Sequence, residues 1–174
     1  MKYLFSLLLL TGMFQAMAQT DKATTLKIVT EKNFVFRATT AIPLSNADVN
    51  RVLSQMPGAM GGSTINLNGS QYDLMVTKDS VVAYLPYYGR AFNAPMNPNE
   101  GGIKFTSKNF SYKESKNKKG MSTIQIITQD VKKENYRLTL NISTNGYANL
   151  MVFSVNKQPI TFNGYLSEPE KPKN

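Results

Sequence analysis

The sequence predicts an all-β domain, mainly antiparallel: a meander barrel or two-sheet sandwich of about ten short strands, with one or two short helices near the N-terminus. Three observations predict it. Apolar and polar residues alternate with a period of two, most cleanly Tyr136, Leu138, Leu140 and Ile142 against Arg137, Thr139 and Asn141. Turn pairs such as Asn68-Gly69 and Asn145-Gly146 punctuate the alternating runs. Long helical segments do not separate the strands, as a parallel α/β sheet would require.

Met1–Ala18 reads as a signal peptide. Lys2 supplies the positive region, Tyr3–Phe14 is almost wholly apolar, and Ala16-Met17-Ala18 places small residues where signal peptidase reads. The apolar run is shorter than the roughly 20 residues a spanning helix needs. No cysteine follows it, which argues against a lipid anchor. The expected mature chain starts at Gln19, is secreted or periplasmic, has no transmembrane segment, and forms one β-rich domain over 19–166. Residues 167–174, with only Pro, Glu, Lys, Ser and Asn, are expected to be a disordered tail.

From Gln19 to Asn33 the pattern suits a weak helix, weakened by β-branched Thr24, Thr25, Ile28 and Thr30. Phe34, Phe36 and Ala38 then form one face of a strand that Pro43 ends. Ser45–Asp48 has capping-box spacing, and Val49, Val52, Leu53 and Met56 follow at helical intervals, predicting a second short helix over Asn46–Gln55. Pro57, Gly58, Gly61 and Gly62 break it. Asn68-Gly69 reads as a hairpin joining Thr64–Leu67 to Tyr72–Thr77, and Lys78-Asp79 turns the chain into Val81–Tyr87. Further strands are expected near Ile103–Thr106, Phe110–Glu114, Met121–Gln129, Asn135–Ser143, Tyr147–Val155 and Pro159–Leu166. The predicted core comprises Phe34, Phe36, Tyr72, Leu74, Val76, Leu138, Leu140 and Ile142.

The composition removes several chemistries. With no histidine and no cysteine, the chain cannot build a Ser-His-Asp triad, a cysteine nucleophile, or the usual zinc or haem site. No Gly-rich phosphate loop is present, and Asn46–Asn50 lacks the spacing of a calcium loop. No cofactor or metal is expected. The formal charge of +9, reduced by one when Lys2 leaves with the leader, favours anionic surfaces at long range. Its densest tract, Lys113–Gly120, has no arginine and one aromatic near it, so it reads as a solvated hairpin tip rather than a nucleic-acid patch. Two enzymatic routes survive, paired carboxylates and Ser-Lys or tyrosine nucleophiles, but neither has a motif. Asp73 and Asp79, which flank one strand, read as surface and turn carboxylates.

One segment breaks the pattern of short polar turns. Leu85–Pro95 holds Tyr87, Tyr88, Arg90 and Phe92 with Gly89 between two prolines, and continues through Pro98 to Gly101-Gly102. Long loops with aromatic content are often functional. With Tyr84 before them, Tyr87, Tyr88 and Phe92 are the candidate apolar wall and Arg90 the candidate polar anchor of a binding site. The competing reading makes Tyr87, Tyr88 and Phe92 a plug at the barrel end, with Arg90 paired to a carboxylate such as Glu100.

The run Asp79-Ser80-Val81, then Leu85–Ala91, Gly101–Phe105, Gly146-Tyr147-Ala148 and Ile160–Gly164, resembles the domain-of-unknown-function family 4251 of Bacteroidetes-type bacteria. The resemblance implies secretion, and no activity, ligand or catalytic residue. Three functions compete: a non-catalytic binding module of the cell envelope for a small apolar or amphipathic ligand, a structural or assembly partner in the envelope, and a carboxylate-based hydrolase. The expected partners are a lipid, a glycan or an envelope protein, and not nucleic acid. A filled interior favours assembly; two convergent carboxylates in a concave site favour the hydrolase.

Overall fold

A computed structural model describes residues 20–44, 51, 54–55, 64–93, 101–132 and 134–170. The expected signal peptide and nearly all of the helix expected over Asn46–Gln55 lie outside the described residues.

Helix α1 spans Lys22–Thr30. Its low intrinsic propensity is overcome at both ends and by burial. Asp21 caps it, accepting a hydrogen bond from the Thr24 amide at 2.8 Å, which also lowers the Asp21 pKa. Lys32 adopts a left-handed φ of 51° at the other end, where the amide of Asn33 donates to the carbonyl of Ile28. Ile28 and Val29 are 2% exposed.

The strands are β1 (Phe34–Pro43), β2 (Ile65–Asn66), β3 (Asp73–Val76), β4 (Val81–Leu85), β5 (Ile103–Ser107), β6 (Phe110–Lys116), β7 (Ser122–Thr128), β8 (Arg137–Ile142), β9 (Tyr147–Phe153) and β10 (Ile160–Ser167). They form one antiparallel sheet in the order β5-β4-β3-β1-β10-β9-β8-β7-β6, with β2 also on β1. The sheet curls into a nearly closed barrel, the first of the two architectures expected. All eight predicted core residues except Tyr72 are buried; Tyr72 is half-buried and packs against that core.

The hairpin expected at Asn68-Gly69 is not one. β2 and β3 do not pair with each other. Both run antiparallel to β1, β2 opposite Thr40–Ala41 and β3 opposite Phe34–Arg37. Gly69, at φ 88°, instead shapes a turn in which the Ser70 amide bonds the Leu67 carbonyl, and the chain resumes along the same partner. A two-residue turn signal thus marks an excursion inside one interrupted strand.

Two devices curl the sheet. β1 carries a bulge between Ala38 and Thr40 where it pairs with β10. Beside it, Gly164 lies so close to β1 that a Cβ there would sit 1.9 Å from the Arg37 carbonyl oxygen and 2.9 Å from the Phe36 ring. The second device is the corner at Lys108-Asn109, where the chain leaves β4 as β5 and joins β7 as β6. Asp130 fastens that corner, accepting from the Ser107 hydroxyl and from the amides of Lys108 (2.7 Å) and Asn109 (2.9 Å). Those bonds, the Ser107 hydroxyl first, lower its pKa to about 2.

The barrel is filled. Phe34, Phe36, Leu74, Leu138, Leu140 and Phe162 are all 0% exposed. β10 runs to Ser167, and of the segment beyond it Glu168–Glu170 are described, with Glu170 against Arg37.

Candidate functional site

Within the described part of the loop, the five residues singled out in the sequence face different ways. Tyr87 points inward, its hydroxyl shared between the carbonyls of Arg90 (2.8 Å) and Gln158 (3.1 Å). Burial, offset by the Gln158 carbonyl and reinforced by Glu134, pushes its pKa up to about 12, so the phenol stays neutral. Gly89 is needed for room: a Cβ there would lie 2.8 Å from the Tyr87 hydroxyl. Tyr88 is half-buried against the core, and burial first, then nearby Tyr72, raises its pKa.

Tyr84 faces outward, stacked on Tyr72 at 5.8 Å with the Lys104 ammonium 5.0 Å from its ring centre. The Arg90 side chain is exposed, while its backbone is stitched to the β9–β10 connection through Gln158. Phe92 is 64% exposed, and its amide bonds the Asn156 carbonyl at 2.8 Å. Glu100, the expected partner of Arg90, lies outside the described residues.

Behind Tyr87 the structure assembles a group with no sequence motif. Glu134, on the β7–β8 connection, accepts from the Ser154 hydroxyl and the Lys157 ammonium, both on the β9–β10 connection. The Lys157 side chain is only 10% exposed. Serine, lysine and carboxylate together suggest a nucleophile, but Ser154 donates to Glu134 rather than to Lys157, and the Asn156 amide donates to Ser154 at 3.1 Å. The gap among Tyr87, Tyr136, Ser154 and Lys157 holds no space even for water, about 0 Å³. The arrangement ties the β7–β8 connection to the β9–β10 connection.

Room exists elsewhere. An open cleft of about 290 Å³ on the outer face contains Asp73 and Glu170. The Arg37 guanidinium stands between them, 2.5 Å from Glu170 and 4.0 Å from Asp73. Burial raises the Asp73 pKa against the opposing field of Arg37. A cation bridging both carboxylates occupies the position a scissile bond would need.

At the opposite end from the Tyr87 loop, a cleft of about 170 Å³ lies between α1 and the turns that follow β6 and β8. Leu26, Val29 and Ile142 give it an apolar lining, and Lys22 and Lys116 stand at its border. Lys116 pairs with Glu114 at 3.3 Å; no ion pair to Lys22 occurs among the described residues. Sequence reasoning missed this cleft because its walls come from three segments, none distinctive alone. The local trace of it is Leu26, exposed on a helix that buries Thr25, Ile28 and Val29.

The family profile described as a domain of unknown function, DUF4251, matches residues 16–166. No curated protein matches the sequence. A crystal structure of a DUF4251 family protein from Bacteroides eggerthii is similar, with a TM-score of 0.55, 15% sequence identity, and coverage of 84% of this chain and 87% of that one. At that identity the likeness concerns the fold.

Proposed function

The chain belongs to the DUF4251 family, and from that premise we propose that it is a non-catalytic binding module of the cell envelope whose ligand is a small amphipathic anion. The observation that carries the reading is the α1 cleft, an apolar pocket bordered by Lys22 and Lys116. Its volume of about 170 Å³ suits a ring or the end of an acyl chain, since an apolar cavity of about 150 Å³ takes up benzene. The lysines then meet the anionic head. The filled interior argues against a ligand inside the barrel and by itself favours the assembly role; the α1 cleft, outside the interior, is what supports binding instead, and Arg37 between Asp73 and Glu170 argues against the hydrolase. Met1–Ala18 supports export, and N-terminal sequencing of envelope material should begin at Gln19.

The test is titration of the purified protein with a dansyl-labelled fatty acid. Saturable fluorescence displaced by unlabelled laurate is expected, and Leu26→Trp, which fills the cleft from an exposed position, should abolish it with the melting temperature unchanged. Lys22→Gln should weaken it several-fold. Saturable binding that survives Leu26→Trp, or no saturable binding, refutes the reading.

A further inference from the structure

The outer face of β7 to β10 differs from the rest of this basic chain. Strand alternation turns thirteen side chains outward between Thr123 and Tyr165, and Arg137 is the one charged group among them. The strand registers align Thr123, Asn141, Asn149 and Asn163 in a single row, which Thr40 of β1 continues.

The row is ordered by its own hydrogen bonds. Thr123 donates to the Asn141 side-chain oxygen at 3.0 Å, the Asn149 amide to Asn163 at 2.9 Å, and the Asn163 amide to the Thr40 hydroxyl at 3.3 Å. Each primary amide offers two donors and an acceptor with two lone pairs, so these bonds fix the amide planes and leave capacity pointing to solvent. Two residues along the same strands, Tyr147 and Tyr165 lie directly opposite each other, and Tyr147 is 56% exposed.

We propose that this face binds a neutral polysaccharide, laid across the strands along the asparagine row with a sugar ring stacked on Tyr147. Amides with fixed planes exchange bidentate hydrogen bonds with vicinal hydroxyls, and an aromatic face covers the C–H side of a pyranose. Strands β8, β9 and β10, about 4.8 Å apart, present three successive amides, Asn141, Asn149 and Asn163, flanked by the hydroxyls of Thr123 and Thr40. The near-absence of charge identifies the ligand as neutral: an anionic polymer would be drawn to the lysines of β6 and its turn, while an uncharged one pays no desolvation of ions here. The row is too polar to be the core of a protein interface.

The experiment is native electrophoresis of the purified protein through gels cast with soluble β-glucan, α-glucan, mannan, xyloglucan or, for comparison, alginate. Retardation in at least one neutral gel is expected, and Asn149→Ala and Tyr147→Ala should each weaken it at least five-fold while far-ultraviolet dichroism and melting stay native. Tyr147→Phe should retain it. Migration unchanged in every neutral gel, retardation by alginate alone, or retardation insensitive to both alanine variants overturns the proposal. So does a concentration-dependent dimer in sedimentation that Tyr147→Ala abolishes, which would assign the face to a second copy. Neither the Asn149 nor the Tyr147 side chain lines the α1 cleft, so fatty-acid titration of the same proteins separates failure here from failure there.

Discussion

The two ends of this barrel are closed by different means, and the means decide which one has space. At the Tyr87 end the connections are tied by directional polar bonds: Tyr87 to two carbonyls, and Ser154 and Lys157 to Glu134. Such bonds fix separations tightly, and among the described residues the gap behind Tyr87 has no room for water. At the other end α1 rests on Thr25, Ile28 and Val29, and Thr20 holds its start through the Leu166 carbonyl at 2.5 Å. A rigid cylinder laid over strand turns cannot follow their contour, and a cleft of about 170 Å³ is left. The Tyr87 hydroxyl is thus committed inside the fold, while Phe92 and the Arg90 side chain stay exposed.

The largest expected effect removes the wall both ends share. Gly164→Ala forces a Cβ into the Arg37 carbonyl and should cost about 3 kcal/mol or more in urea unfolding. A loss below about 1 kcal/mol would mean that β1 and β10 approach less closely than described.

Next in size is a direct contrast between the ends. Lys157→Ala leaves the Glu134 carboxylate without its cation in a largely buried site and should cost about 2–4 kcal/mol. Lys22→Ala, at the cleft border, should stay within about 0.5 kcal/mol of the parent. Equal losses would erase the distinction between a latched and a lidded end.

Acid should loosen the corner near the latched end. The folded pKa of Asp130 is depressed to about 2 from 3.8, so its contribution is complete above about pH 4 and fades as pH falls towards 2. Unfolding measured across that window should show a decline that Asp130→Asn flattens. The smallest effect expected is at the loop surface: Arg90→Ala should change stability by less than about 1 kcal/mol, because its exposed side chain is not what ties the loop. If it also leaves fatty-acid and polysaccharide binding intact, Arg90 is not a ligand anchor.

Much of the fold was legible because strands with one buried face advertise themselves by alternation, as Tyr136–Ile142 and Tyr72–Val76 do. The Asn68-Gly69 signal misled for a physical reason: turn chemistry specifies local backbone shape, and β1 offered β2 a partner beyond its bulge and β3 one before it. Tyr84, Tyr87, Tyr88, Arg90 and Phe92 were found as a distinctive segment, but the direction each faces depends on Gln158 and Tyr72, far from most of them in sequence. The latch of Glu134, Ser154 and Lys157, the α1 cleft and the asparagine row share that property. Each is made by segments distant in sequence, which no local window contains.

The seam between β1 and β10 also sets the order of events when the protein is made. The Thr39 hydroxyl bonds the carbonyl of Asn163, 124 residues further on, so the first strand waits for the last. Until β10 arrives, β1 and β9 each present an unpaired edge, the template on which β-rich chains aggregate. Pairings this distant make folding slow, with the wall completed only after the whole chain has been released. Delay is compatible with the export proposed above, since threading through a membrane channel needs an unfolded chain. A termination codon anywhere before Ile160 would thus yield an open sheet rather than a slightly shorter barrel.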